Sequence, residues 1–286
     1  MIATTNLLAL TLPYPFDRQY MQLALFASVV VGASAPLIGS FLVQKRLSLV
    51  GDGIGHVAFA GVAAGLLFGV WPVWTALVAA VVASIGIEWF RMRGRTGGDL
   101  ALALFFYSGI AAGVVLIQQA GSLNASTLTY LFGSVLTVSS ADTATIVVLA
   151  ALILAIVAVA WRALFAVVFD EEAAIVAGLP VRLLNFGLAA LTAVTVVAAM
   201  RVVGLLLVSA LMVLPVGAAQ RATVSFRGTL IASSLIGAAS AVIGLVIARV
   251  FGLAPGGTIA LVAAASFALS YLWRASHVPV PAVTAS

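Results

Sequence analysis

Charge is what this sequence lacks most. Only 7% of its 286 residues are Asp, Glu, Lys or Arg, where a soluble domain usually carries about 25%. So few charges cannot coat a water-facing surface of this size, which excludes a cytosolic enzyme, a secreted domain and a disordered regulator. Cysteine is absent altogether, so disulfides, thiolate metal sites and iron–sulfur clusters are excluded and the redox compartment stays unread. Lysine occurs once, as Lys45, among twelve arginines that form no dense basic run, which argues against nucleic-acid binding. A phosphate-binding loop of the G-x-x-x-x-G-K-[ST] type needs glycine before its lysine. Gln44 stands there instead. With no nucleophile elbow either, the chain is expected not to be an enzyme, and any active transport must draw its energy from another subunit or an ion gradient.

What fills the sequence is apolar. Hydrophobic residues make up 64%, and the mean hydropathy is +1.27. About 20 apolar residues cross a bilayer, and runs of that length recur, separated by charges or Gly/Pro clusters. The expected fold class is all-α, a polytopic transmembrane helical bundle of about eight or nine membrane helices. The expected crossings are Tyr20–Val43, Gly53–Val70, Val73–Phe90, Leu100–Gln119, Thr143–Trp161, Leu184–Met200, Val203–Ala219, Thr229–Arg249 and Thr258–Trp273. Residues 1–19 read as an interfacial lead-in without the marks of a signal peptide, residues 20–274 as the membrane domain, and 275–286 as a flexible tail. Leu184–Ala219 is almost unbroken, but one helix of that length would reach roughly 54 Å. A turn is therefore expected at Arg201.

Basic residues set the orientation. Lys45–Arg46, Arg91, Arg93, Arg95, Arg162, Arg182, Arg221, Arg227 and Arg274 fall on one side, which should be cytoplasmic. The N-terminus is then outside and the C-terminus inside. Leu128–Val138 is too short to span and reads as a re-entrant or surface helix on the outer side. Asp99 and Asp142 read as N-caps of the crossings that follow them. Arg201 reads as a headgroup anchor, or else as lining an outer vestibule. Glu88 reads as an ion-pair partner for Arg91 and Arg93.

Two places carry chemistry. Asp52 and His56, in LVGDGIGHVAFAGVAAG, are spaced i, i+4 and so stand side by side on one helix face. Ionisable residues near the membrane interior are costly and usually functional, and both are suitable ligands for a divalent transition metal. The rival reading makes Asp52 a helix cap and His56 a satisfied core residue. Gly61, Gly65 and Gly69 recur every four residues on roughly the opposite side, a pattern that lets a neighbouring helix approach. Two ligands are too few for a metal, and His277 lies in the polar tail. Two copies of the chain, facing each other, would supply two Asp and two His. The second place is the only acidic cluster, VVFDEEAAIVAGLPVRL. Asp170, Glu171 and Glu172 favour a helix start there, and Gly178 with Pro180 favours its end. This short cytoplasmic helix is either a plain connector or a docking element.

Five segments together resemble a known family: GSFLVQKRLSLVGDGIGHVAFAGVAAG, LTYLFGSVLTVSSAD, FDEEAAIVAGLPV, VVGLLLVSALMVLPVGAAQR and APGGTIAL. In this order and spacing, from Leu23 to Trp273, the chain resembles the membrane permease subunits of zinc/manganese-type ATP-binding-cassette importers. Gly217 and Gln220–Arg221 depart mildly from the usual continuation of the fourth segment. The resemblance implies a multi-pass protein of the bacterial inner membrane. It implies a homodimer served by two cytoplasmic ATP-binding subunits and an extracytoplasmic metal-binding protein. No cofactor is held permanently; the cargo is Zn²⁺ or Mn²⁺, zinc before manganese or iron. Asp52 and His56 match the family's D-x-x-x-H position on the ion's path. Asp170, Glu171, Glu172, Ala174, Ala177, Gly178 and Pro180 fall on its coupling helix, which docks on the ATPase. A proton-coupled secondary transporter, with Asp52 and His56 as a relay, is the rival function.

Overall fold

The fold comes from a computed structural model and is described for residues 18–93, 98–120, 125–133, 139–205 and 207–277. The N-terminal lead-in up to residue 17, Arg95, and the tail from residue 278 lie outside the described residues. Eleven helices and no strand occur among the described residues: α1 Gln19–Gln44, α2 Val50–Phe68, α3 Pro72–Met92, α4 Gly98–Gln119, α5 Ala125–Phe132, α6 Ser140–Phe169, α7 Glu171–Val176, α8 Val181–Ala199, α9 Val208–Ala222, α10 Phe226–Phe251 and α11 Pro255–His277.

Eight of these are long and apolar enough to cross a membrane: α1, α2, α3, α4, α6, α8, α10 and α11. The crossing expected over Val203–Ala219 is shorter. Its helix begins only at Val208 and has 15 residues, about 22 Å at 1.5 Å per residue. The chain ahead of it is turned rather than helical. Gly204 takes a left-handed φ of +90°, which a residue with a Cβ adopts only at a cost. The Leu205 amide donates to the Tyr130 carbonyl of α5 at 3.0 Å. A β-carbon on Gly256, at the start of α11, would collide with the Val203 and Phe132 carbonyls. Three of the five recognised segments therefore converge on one knot, which supports α5 from within the bundle. Residues 134–138 of the expected Leu128–Val138 helix lie outside the described residues.

The opposite end of the bundle collects the basic residues. There Phe41, Trp161, Phe165 and Phe226 form an aromatic cluster with ring centroids 5.3–6.2 Å apart, and Arg227 lies over Trp161. Arg221, closing α9, lies 4.1 Å above the Tyr271 ring of α11. Aromatic rings with basic heads are the usual furniture of a membrane–water boundary. α9 thus returns to the same end as the last turns of α1 and α11.

Helix contacts rely on small residues, as lipid-embedded bundles do. α1 meets α10 where Gly32 faces Gly237 with no room for either to carry a side chain. Ser40 and Ser233 bridge the same pair at 3.3 Å. α2 sits inside the bundle, packed against α4 and α3.

Candidate metal site

The start of α2 shows why Asp52 and His56 face where they do. Glycines alternate with them in Gly51-Asp52-Gly53-Ile54-Gly55-His56, and each glycine is pressed by a different neighbour. A Cβ on Gly51 would come within 2.7 Å of Ser209 Oγ in α9, and one on Gly55 within 3.1 Å of the Leu205 carbonyl. One on Gly53 would strike Leu102 of α4. Packing therefore takes three sides of this turn and leaves the fourth to Asp52 and His56, both half-buried. Further along, Gly61 and Gly65 meet Thr75, Ala76 and Pro72 of α3 within 2.8 Å of a would-be Cβ. The sequence pattern placed Gly69 in the same packed stripe, and the structure corrects this. Gly69 caps α2 with φ +64° and nothing near its Cβ position.

His56 Nδ1 lies 2.8 Å from the Asp52 carbonyl oxygen. A carbonyl only accepts, so Nδ1 carries the proton, and the Nε2 lone pair is left for a cation. The ring is held from the side by Phe106 of α4, centroids 4.2 Å apart. α4 also braces the backbone here, because a Cβ on Gly109 would come within 2.7 Å of the Val57 amide and 2.8 Å of His56. No cluster of three or more His, Asp or Glu with metal-binding geometry exists among the described residues. One chain offers a carboxylate and an imidazole, half of an ordinary ligand set.

Beyond His56 the exposed face of α2 runs into a shallow apolar groove. Val57, Ala60, Gly61 and Ala64 form one wall, and Trp74, Val78 and Val82 of α3 the other.

The acidic helix forms as its residues predict. Asp170 caps α7 by accepting from the Ala173 amide at 2.9 Å. The Leu179 amide closes back to the Ala174 carbonyl at 3.0 Å, with Gly178 at φ +76°, the left-handed stop favoured by glycine. Ala174 is buried against Val167 and Val181, while Ile175 and Val176 are 60% and 89% exposed. α7 therefore turns an apolar face outward.

Behind α7 lies a polar cluster that sequence reasoning did not assemble. Lys45 Nζ donates to Asn185 Oδ1 at 2.6 Å and stands 3.4 Å from Glu171 Oε2. Asn185 Nδ2 in turn donates to Glu171 Oε1 at 2.9 Å. Burial pushes the Lys45 ammonium below the usual lysine pKa, against the pull of Glu171. Asn185, a buried amide one residue into an apolar crossing, was the available signal.

Other charged residues fall as follows. Glu88 takes Arg91 in a two-pronged pair at 2.6 and 2.8 Å, whereas Arg93 stacks on Trp89. Asp99 sits inside the first turn of α4 rather than before it. Asp142 is likewise not the cap of α6. Ser139 is, and Asp142 closes the reciprocal capping box three residues on. Arg201 is not a headgroup anchor, because it donates to Asp142 Oδ2 at 2.9 Å and lies over the Tyr130 ring. With two buried groups to hold, it faces inward.

Comparisons with known proteins place this architecture. The sequence profile of "ABC-3: ABC 3 transport family" matches residues 17–274. The "Manganese transport system membrane protein MntC" of Listeria innocua is 34% identical over 256 residues, covering 89% of this chain and 90% of the relative. The "Probable iron transport system membrane protein" of Haemophilus influenzae is 32% identical, covering 90% and 94%. The solved structure "PsaBC from Streptococcus pneumoniae in complex with Fab" superposes with a TM-score of 0.81 at 31% identity, covering 89% of this chain and 92% of that one. A profile spanning nearly the whole sequence, with relatives of this identity and coverage, shows that this multi-pass membrane protein belongs to the ABC 3 transport family.

Proposed function

We propose that the chain is the membrane subunit of an importer for a divalent transition metal, acting as a homodimer in the bacterial inner membrane. Its partners are two cytoplasmic ATP-binding subunits and an extracytoplasmic metal-binding protein. Asp52 and His56 from each of two copies hold the passing ion. The observation that carries this reading is the half-buried Asp52–His56 face, with Nδ1 occupied and Nε2 left for a ligand, open where the rest of α2 is packed. Two carboxylates offset the charge of a divalent cation, which lowers the cost of bringing it out of water, and two imidazoles complete four ligands. The apolar groove beside His56 offers a surface on which a second copy can seat. The outward Ile175 and Val176 of α7 are the docking face for the ATP-binding subunit, with Asp170, Glu171, Glu172, Ala177, Gly178 and Pro180 shaping and ending that helix. ATP-driven movement there opens the path alternately to each side.

A site of two carboxylates and two imidazoles accepts zinc, manganese or ferrous iron. Zinc was the first expectation from sequence, but the relatives named above are named for manganese and iron, so manganese is the cargo we favour. Asp52→Ala and His56→Ala should each abolish metal uptake while the amount of protein in the membrane stays unchanged; normal accumulation in both would dispose of the site. ATPase activity of the reconstituted complex should rise more with Mn²⁺ than with Zn²⁺. Uptake that continues without any ATP-binding subunit and collapses with an uncoupler would favour the proton-coupled alternative.

A further inference from the structure

The start of α2 is tied to α7 by a short, closed path of contacts. Lys45 follows the last residue of α1, and its side chain is only 7% exposed. Its ammonium meets Glu171, in the first turn of α7, and Asn185, in the first turns of α8, while Asn185 and Glu171 bond to each other. The three side chains form a closed triangle joining α1, α7 and α8. A joint of this kind transmits displacement in any direction, because no one contact can slide without straining the others.

From Lys45 to Asp52 a series of short-range backbone hydrogen bonds ties the turn together. The Arg46 amide donates to the Val43 carbonyl at 3.0 Å and the Leu47 amide to Leu42 at 2.8 Å. The Val50 amide donates to Leu47 and the Asp52 amide to Leu49, both at 3.1 Å. Arg46 holds φ +61°, the only non-glycine with positive φ among the described residues. An L-residue adopts that conformation only where its surroundings impose it. The turn between α1 and α2 is therefore a stiff link, with the joint at one end and the candidate metal ligand at the other.

Lys45, Asn185, Ser84, Glu88 and Arg91 border a cavity of about 20 Å³, about the space one water needs, so the joint is not packed solid on that side. Glu88 offers the ammonium a second carboxylate across that space, shared with Arg91.

We propose that Lys45, through Glu171 and Asn185, is the positioning residue that carries movement of α7 to Asp52 and so couples the ATP-binding subunit to the metal path. The inference rests on the importer reading given above. It assigns Glu171 an inward task, distinct from the outward docking face of Ile175 and Val176.

Because Lys45 is the only lysine, its amine can be followed in the intact complex without substitution. The complex of this chain with its ATP-binding subunits, in inside-out vesicles, is treated with acetic anhydride, and acetylation of Lys45 is read by mass spectrometry. Labelling with a non-hydrolysable ATP analogue should differ from labelling without nucleotide by several-fold. Equal labelling in the two states overturns the proposal. In parallel, Lys45→Met should leave ATP hydrolysis running while metal moved per ATP falls about tenfold, the scale of a typical coupling energy. Lys45→Arg, which keeps a cation at the joint, should restore most of that ratio. A wild-type ratio in Lys45→Met sinks the idea. Absence of metal uptake by the wild-type complex would instead strike the importer reading, and nucleotide-dependent labelling of Lys45 would still identify the joint.

Discussion

Arg201 and Asp142 are 59 positions apart, and nothing in their spacing announces that they meet. Their side chains are 13% and 8% exposed and pair at 2.9 Å, with Ser139 donating to the same carboxylate oxygen at 2.7 Å. Removing one partner of a buried pair strands the other, at a cost of about 3–5 kcal/mol. Arg201→Ala or Asp142→Asn should therefore lower the thermal unfolding temperature of the purified protein markedly. Replacing both with apolar residues of similar volume should recover much of the loss. Equal stability of all three in detergent would mean the pair holds nothing together. Asp52 and His56 were legible at this scale because four residues is one helical turn, so sequence distance translates directly into proximity. Contacts made across the bundle, such as Arg201–Asp142 or Lys45–Glu171, have no such local rule. Each needed the fold before it could be seen.

Among the helices, the long apolar runs were read correctly because length and hydropathy decide them locally. α9 was not, since the residues ahead of it are as apolar as those within it. What ends the helical path is Gly204 in a left-handed conformation and the hydrogen bond from Leu205 to Tyr130, and the second of these belongs to a partner on another helix. The acidic helix was legible at both ends, as its cap and its stop are coded within a few residues. The seam between α2 and α4 yields a direct test. Gly109 lies against the backbone at His56 and Val57 with no space for a methyl group. Gly109→Leu must push the two helices apart and shift His56 without touching either proposed ligand. Metal uptake should fall about as far as in His56→Ala, since a displacement near 1 Å can cost a hundredfold at a reacting site. Uptake at the wild-type level would mean that the position of His56 does not matter.

For the whole molecule, the proposed dimer places the α2 faces of two copies against each other. The natural chain has no cysteine, so any introduced thiol reports on itself alone. Ala60→Cys, on the open face one turn beyond His56, should cross-link to a covalent dimer under mild oxidation. Val148→Cys, 66% exposed on α6, should remain monomeric on a denaturing gel. The reverse pattern would put the contact between copies on another face and leave each Asp52–His56 pair alone.

The length of α6 has a consequence of its own. Its 30 residues extend about 45 Å, half again the roughly 30 Å hydrocarbon layer. With Arg162 and the Trp161 cluster at the edge of that layer, where basic and aromatic side chains are favoured, the last turns would form a stalk that holds α7 clear of the lipid headgroups. Hydrophobic mismatch then becomes a control on transport: a bilayer of longer acyl chains would draw the stalk inward, and one of shorter chains would push it out. ATP-driven uptake in vesicles of graded chain length should pass through a maximum, falling on the thick side as the proposed docking helix α7 is pulled towards the membrane surface.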